Sequence, residues 1–416
     1  MPSLVPAPHD VDVVIVGAGP AGSATAISLL QHAPDTRVAL VDAATFPRDK
    51  TCGDGLGPGV LRVLDALGLR RVLDDAASPK AIRIVGPDGV VTGGHHQDID
   101  GDWLRGHVLP RQIFDARLVD EAIAVGAEMI TAKFVRTNIR ADRRHVMLRA
   151  GDGEHHLTAR VLVGADGANS TVRRAIGLHR TRDADRLIAM RGYARTTTWD
   201  AIDALHFEFP AHLLPGYAWV FSPGRSVVNL GVSVPLRDLQ RGDARLRDLL
   251  ERFIESLRER GTQIDGVKNI RAHHLPHDGS NETMTSRAVV IGDAAGAINP
   301  LSGEGIHYAM RSGLNLGREL ASLREDTDPD AAIRRFVDID RHAVRRHLRD
   351  CLLAHRLLRY RPLARRSIAA AADPTILEAT ARMLFDDGHL TGTTVCGILR
   401  HRRSDAPVHE RRNRHR

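Results

Sequence analysis

Apolar positions along this chain follow two periods, and the switches between them mark its parts. Val11, Val13, Val14, Ile15 and Val16 form a β-branched run of the kind buried on both faces of a parallel sheet. A helix-forming stretch over 23–30 follows, then a second apolar strand over 38–41 that ends on Asp42. Helical spacing returns at Val60, Leu61, Val63, Leu64 and Leu67. Residues 81–91 read as a hairpin turning at Pro87-Asp88-Gly89. An amphipathic helix is expected over 112–125, with Asp115 serving its N-terminus. Strands are expected near 134–139 and 145–149. Val161–Val163 read as a buried strand, and Asn169, Ser170 and Thr171 offer an N-cap to a helix starting at Val172. From Ile188 to Val234 the pattern becomes alternation, as in an antiparallel sheet; a helix over 246–257 closes that region. A last buried strand precedes Gly292-Asp293, and a helix runs from Ile306 to Leu320.

The chain is long enough, at 416 residues, for two or three lobes. No apolar run spans a bilayer, and residues 1–10 lack the basic-then-apolar pattern of a signal peptide. Cys52, Cys351 and Cys396 are odd in number and far apart, which points to a reducing cytoplasm rather than a disulfide framework. The formal charge is +7, and lysine appears only at Lys50, Lys80, Lys133 and Lys268. The arginine surplus lies late, in 341–366 and 400–416. It reads either as a solvated helix face with a tail or as a surface for peripheral contact with an anionic membrane. No nucleic-acid reader module is visible. The absence of HExxH, paired CxxC, GxSxG and P-loop patterns leaves metal, thiol-redox and acyl-transfer chemistry without support.

The first strand runs directly into Gly17, Gly19 and Gly22, spaced G-x-G-x-x-G, with Pro20 and Ala21 between. Gly17 permits a tight turn, Gly19 lets backbone approach a pyrophosphate, and Gly22 lets helix pack on strand. The pyrophosphate sits at the helix N-terminus. Asp42 stands 25 residues after Gly17, where it can accept from a ribose. The order strand, glycines, helix, strand, acid makes this a dinucleotide site. Arg48 is placed to reach phosphate or ribose, and Gly53, Gly55, Gly57 and Gly59 form a loop that can lie against a flat ligand. Cys52 in that loop reads either as a small buried hydrophobe or as a reactive neighbour of the ligand. Arg111 opens a helix where it could meet the cofactor. Asp166-Gly167 offers either a ligand contact or a cap for its own helix. The loop Pro300–Gly305 is tight, and the helix behind it offers free N–H groups to an electron-rich ligand edge. Glu304 and His307 are its titratable residues, His307 being a local hydrogen-bonder or a catalyst. Tyr193, Trp199, Phe207, Phe209, Tyr217, Trp219 and Phe221 concentrate in the alternating region of a chain that is only 4% aromatic. The face they form is either core or binding wall.

Three separated segments, GAGPAG, VLVGADGANSTVRR and VVIGDAAGAINPLSGEGI, together resemble the FAD-dependent aromatic-hydroxylase superfamily. The fold that resemblance implies is α/β: a glutathione-reductase-like Rossmann FAD domain interrupted by an antiparallel β-sheet substrate domain, with a helical C-terminal region. Its boundaries are expected at 1–78, 109–182 and 285–345 for the FAD domain, 79–108 and 183–284 for the substrate domain, and 346–416 for the helices and basic tail. Asp42 would take the adenosine ribose, Arg111 and Asp166 the diphosphate region, and Asp293 the ribityl chain. Gly53, Gly167, Gly292, Pro300, Gly303, Gly305 and Ile306 fall within the same cofactor motifs. PRDKTCGDGLGP and NPLSGEGIHYAMRSG resemble the geranylgeranyl reductase family, which saturates isoprenoid double bonds. Hydroxylases of the superfamily usually read GDAAH…P…GQG, whereas Gly296 and Glu304 stand here. GYAWVFSPG resembles the family's Y-x-W-x-F-P element, with Ser222 inserted before Pro223. Cys52 falls on the family's cysteine beside the flavin.

The resemblance implies FAD reduced by NAD(P)H or an external donor, since no second G-x-G-x-x-G is visible. Reduced N5 would deliver a hydride to an alkene carbon of an apolar or lipid substrate. Tyr193, Phe207, Tyr217, Trp219 and Phe221 would line its pocket, with Cys52, Glu304 and His307 as the candidate catalytic groups. The alternative on the same scaffold is a monooxygenase or halogenase, the latter needing a lysine near the substrate, for which Lys80 is the candidate.

Overall fold

A computed structural model describes residues 9–89, 91–95, 105–151, 153–179, 186–197, 204–224, 226–242, 244–277 and 282–400. The first strand, His9–Val16, lies inside a mainly parallel sheet, flanked by Gly153–Gly164 and Val38–Asp42. Glu128–Thr131 extends the sheet on one side and Ala288–Val290 on the other, both in parallel. Val13 stands between Val161 and Val38. This central position, with helices or strands over both faces, explains why the run carries no polar alternation. The strands Lys133–Arg140 and Arg143–Ala150 continue it antiparallel from Gly153–Gly164.

The helix Pro20–His32 packs directly against the helix Ile306–Leu320 on one face of this sheet. Two glycines make the approach possible. A Cβ at Gly313 would lie 2.4 Å from the carbonyl oxygen of Ala21, and one at Gly317 would lie 2.6 Å from Cβ of Ser28. The late helix is thereby held beside the glycine-rich turn, though nearly 300 residues separate them in sequence.

The second sheet has the order Asp265–Pro276, Arg186–Arg195, Val227–Pro235, Tyr217–Gly224, Ala204–Glu208, Ala81–Val85, Val91–His95. It is antiparallel except where Ala81–Val85 runs parallel to Ala204–Glu208. The hairpin over 81–95 thus crosses into this sheet from early in the chain. Alternation gives the sheet two apolar faces. Ala218, Val220, Leu230 and Val232 meet Leu250, Phe253 and Leu257 of the helix Leu246–Glu259. Phe207, Tyr217, Trp219 and Phe221 face the other way, towards Ile368, Leu377, Ala381 and Phe385 of the C-terminal helices. The hairpin Tyr217–Pro235 turns tightly, with Ser222 Oγ donating to the carbonyl of Val227 at 2.9 Å. Trp199 and residues 401–416 lie outside the described residues.

Candidate active site

One cavity of about 550 Å³ runs from the glycine-rich turn of the first sheet to the aromatic face of the second. At one end Gly17, Gly19, Pro20 and Ala21 line it with Asp42, Arg48 and Asp166; at the other stand Phe207, Tyr217, Trp219 and Phe221, with Phe385 contributed by the C-terminal helices. Between them lie Lys50, Cys52, Gly53 and Arg111, and the segment Ser302–Ile306 with Asp293.

The cradle end is built as its glycines require. Gly17 has φ +104°, and a Cβ there would lie 2.3 Å from the carbonyl oxygen of Ala165. A Cβ at Gly22 would fall 1.9 Å from the carbonyl oxygen of Gly17. Asp42 accepts from the N–H groups of Ala18 and Ala44, both at 2.9 Å. Two guanidiniums are held at this end by one buried acid. Asp115 receives Arg111 through two hydrogen bonds at 2.6 and 2.8 Å, and Arg48 at 3.1 Å. Asp115 therefore does not cap its helix: its side chain turns inward as the shared counter-ion of both arginines. Asp166 borders the cavity with its carboxylate spent on its own helix, accepting from the N–H groups of Thr171 and Val172 and from Ser170 Oγ at 2.5 Å.

The loop carrying Cys52 is pinned to both lobes through Asp54, which is fully buried at φ +66°. Its carboxylate accepts from Tyr193 Oη, from Asn229 Nδ2 at 2.8 Å and from the N–H of Arg111 at 3.2 Å. Asn229 also donates to the carbonyl of Cys52 at 2.8 Å and accepts from Trp219 Nε1 at 3.1 Å. The indole fits because position 231 is glycine, where a Cβ would lie 2.3 Å from Trp219. Burial pushes the Cys52 thiol up, so it stays protonated at neutral pH rather than acting as a thiolate.

The matches to known proteins agree with this geometry. A family model described as "FAD binding domain" matches residues 10–350. A menaquinone reductase of Mycobacterium tuberculosis is 35% identical over 329 residues, covering 76% of this chain and 77% of the relative. Digeranylgeranylglycerophospholipid reductase 1 of Methanopyrus kandleri is 29% identical over 341 residues, covering 79% and 85%. The crystal structure of a geranylgeranyl bacteriochlorophyll reductase-like protein from Thermoplasma acidophilum superposes with a TM-score of 0.77 at 20% identity, covering 94% of this chain and 95% of that one. The chain belongs to the geranylgeranyl reductase family of FAD-binding oxidoreductases.

The cavity fits FAD on its own chemistry. Close-approach glycines, the arginines Arg48 and Arg111 joined by Asp115, and the strand-end carboxylate of Asp42 lie along one wall, and Gly303–Ile306 at a helix start lie further along. Gly22 and Gly292 support the wall from behind and Pro300 is buried in the loop; none of the three lines the cavity. Gly167, Gly303, Gly305 and Ile306 do.

Two of the side chains expected to line the substrate pocket or to act in catalysis stand elsewhere in this flavoprotein. Tyr193 is absent from the wall: its hydroxyl is drawn to Asp54, and the guanidinium of Arg191 lies 4.6 Å over its ring. Arg191, fully buried and bonded to Asp49 at 2.5 Å, lines the cavity instead. His307 also faces away. Its ring packs where a Gly59 side chain would be, with Nδ1 2.5 Å from that Cβ position. Burial holds its pKa down at about 3, so it is neutral. Its ring nitrogen and the carboxylates of Asp386 and Asp387 lie close enough to hold a metal ion, but Arg62 and Arg311 already pair with those acids. Lys80 is exposed and outside the cavity wall.

Sequence reasoning missed Lys50, Asp54, Arg191, Asn229, His273 and Phe385. The Gly-Asp-Gly setting of Asp54 is the one signal that could have flagged a member of this set, because an acid between glycines often marks a special backbone conformation. Phe385 carries no such sign.

Proposed function

We propose that this flavoprotein saturates carbon–carbon double bonds of an isoprenoid chain. The observation that carries the reading is the continuity of the FAD cradle with an apolar wall of Phe207, Tyr217, Trp219, Phe221 and Phe385. Bound FAD supplies the hydride that an alkene carbon receives. The chain's own residues bind, orient and exclude water. Arg48 and Arg111, fixed by Asp115, would hold the diphosphate; Asp42 would hold the ribose, and Asp293 the ribityl chain. The aromatic wall would press the alkene against the cofactor, each buried CH₂ contributing about 0.8 kcal/mol. NAD(P)H or another two-electron donor would reload the cofactor, consistent with a single G-x-G-x-x-G in the chain. The relatives named for menaquinone and digeranylgeranylglycerophospholipid support an isoprenoid lipid as substrate class.

The test is product mass after chemically reduced enzyme meets polyprenyl diphosphates, polyprenyl quinones and small aromatics, with and without oxygen. A gain of two hydrogens per turnover without oxygen supports the reductase. Gain of oxygen or halogen, only in air, would replace it with the monooxygenase or halogenase.

We further propose that the C-terminal helices rest on an anionic lipid leaflet. No described helix is long and apolar enough to cross a membrane. On the helix Arg346–Leu357 and just beyond it, Leu353 and Tyr360 are 51% and 68% exposed, and Leu357 is exposed with them. Leu353 and Leu357, four apart, share one face of that helix with exposed Arg349 and Arg356. The same helices pack on the aromatic wall through their inner side. Flotation with vesicles should require anionic lipid, weaken with salt and fall in Leu353→Asp; binding indifferent to all three would remove this surface from the reading.

A further inference from the structure

Glu304 is an acid at the start of the helix Ile306–Leu320 whose carboxyl borders the cavity. Its position is fixed on every side. Oε1 accepts the N–H of His307 at 2.8 Å, and the N–H of Ile306 supports the same carboxyl. Its own N–H donates to Ser302 Oγ at 3.2 Å, and its carbonyl accepts from the N–H of Asn299 at 2.8 Å.

Among the described residues Glu304 has no cation of its own. The guanidinium facing it, that of Arg111, is already bonded twice to Asp115. Asp293 faces it from the preceding turn with like charge, its Oδ1 only 3.1 Å from where a Gly305 Cβ would be. Cys52 from the glycine-rich loop and Tyr217 from the aromatic sheet face it as neutral groups, as does Tyr308 from its own helix. His307 is neutral and turned away. Lys50 and His273 line the cavity further out, where they act on Asp293 and Arg111. A carboxylate here thus rests on two backbone N–H groups at a helix start, against the loss of its water.

We propose that Glu304 takes up a proton when the bound flavin is reduced and gives it up when the flavin is reoxidised. The inference rests on the FAD reading above and not on the identity of the substrate. Reduction adds negative charge to the cavity that a largely desolvated Glu304 borders, and that charge raises the proton affinity of the carboxylate. Two electrons from the donor and one proton go to the ring; a second proton, from solvent, forms the O–H bond of Glu304. When an alkene is saturated, the electron pair and one hydrogen leave the ring as a hydride and form one C–H bond. The O–H bond of Glu304 then breaks and its proton passes to solvent, while one proton from solvent forms the second C–H bond. Burial, partly offset by the N–H groups of His307 and Ile306 and by Arg111, already lifts this carboxyl to about 7, so a modest further rise converts it to the neutral acid at physiological pH.

The experiment is proton uptake per two-electron photoreduction of the holoprotein, without substrate, followed with a pH indicator in weak buffer. Wild type at pH 8 should take up close to two protons and Glu304→Gln close to one, because the amide keeps the acceptor for His307 but cannot titrate. Below about pH 6 the two should agree, since Glu304 is then protonated before reduction. Equal uptake at pH 8 would overturn the proposal. If Glu304→Gln fails to hold FAD, reduced-minus-oxidised infrared spectra of wild type decide. A protonated carboxyl band that appears on reduction and shifts in D₂O supports it, and no such band overturns it. Neither readout depends on alkene turnover, so a failed substrate screen leaves it standing.

Discussion

Asn229 and Trp219 are joined by a 3.1 Å hydrogen bond from the indole N–H to the amide oxygen. The other end of the same amide donates to Asp54 and to the carbonyl of Cys52. One side chain of the second sheet therefore sets both the aromatic wall and the loop that carries Cys52. Asn229→Leu keeps the shape but strands a buried indole N–H, frees the carbonyl of Cys52, and leaves the Asp54 carboxylate only Tyr193 and the N–H of Arg111. It should lower unfolding stability by about 1–3 kcal/mol and weaken substrate binding more than FAD binding, as measured by chemical denaturation and by titration of each ligand.

Asp115 is fully buried beneath Arg111 and Arg48. Asp115→Asn leaves Arg111 without its paired carboxylate and Arg48 with only Asp42, 4.0 Å away. Breaking a buried pair costs about 3–5 kcal/mol, so the purified variant should be less stable and release FAD on gel filtration. FAD retention equal to wild type would count against the shared counter-ion.

The acid at position 304 also gives the apoprotein a pH signature. Its folded pKa of about 7 lies above the ordinary 4.5, so the folded state binds the proton more tightly than the unfolded state. That contribution is complete below about pH 4.5 and is lost as pH rises to about 7. Glu304→Gln lacks this loss and should gain on wild type by about 3 kcal/mol across that window. Denaturation curves at pH 4.5, 6 and 7.5 read the difference directly.

Gly59 and His307 touch closely enough to make a small change costly. A Cβ at 59 would lie 2.5 to 2.7 Å from three ring atoms of His307. Overpacking of this kind costs about 1–3 kcal/mol, so Gly59→Ala should lower the melting temperature. The chemistry should be little affected, because His307 does not face the cavity.

Much of this architecture was legible along the chain. The parallel strands showed as unbroken apolar runs, and the helix over 306–320 falls where its spacing put it. Tyr217, Trp219 and Phe221 fell on one face by simple alternation. That face turned out to be both wall and core, because it lines the cavity and also carries the C-terminal helices. Tyr193 shares the strand parity of Ala189 and Arg191, yet it is held under Asp54 and off the wall. Periodicity gives a side but not how far along a strand the ligand reaches. The roles of Asp115, Asn229 and Phe385 depend on partners tens or hundreds of residues away. No local pattern encodes such pairings.

The most direct test is a single turnover without oxygen. Reduced enzyme is mixed anaerobically with a polyprenyl quinone or diphosphate that it binds, while flavin absorbance and product mass are followed together. The account predicts return of the oxidised-flavin spectrum with one double bond saturated per flavin. A flavin that stays reduced until air is admitted, with product then gaining oxygen, would contradict it.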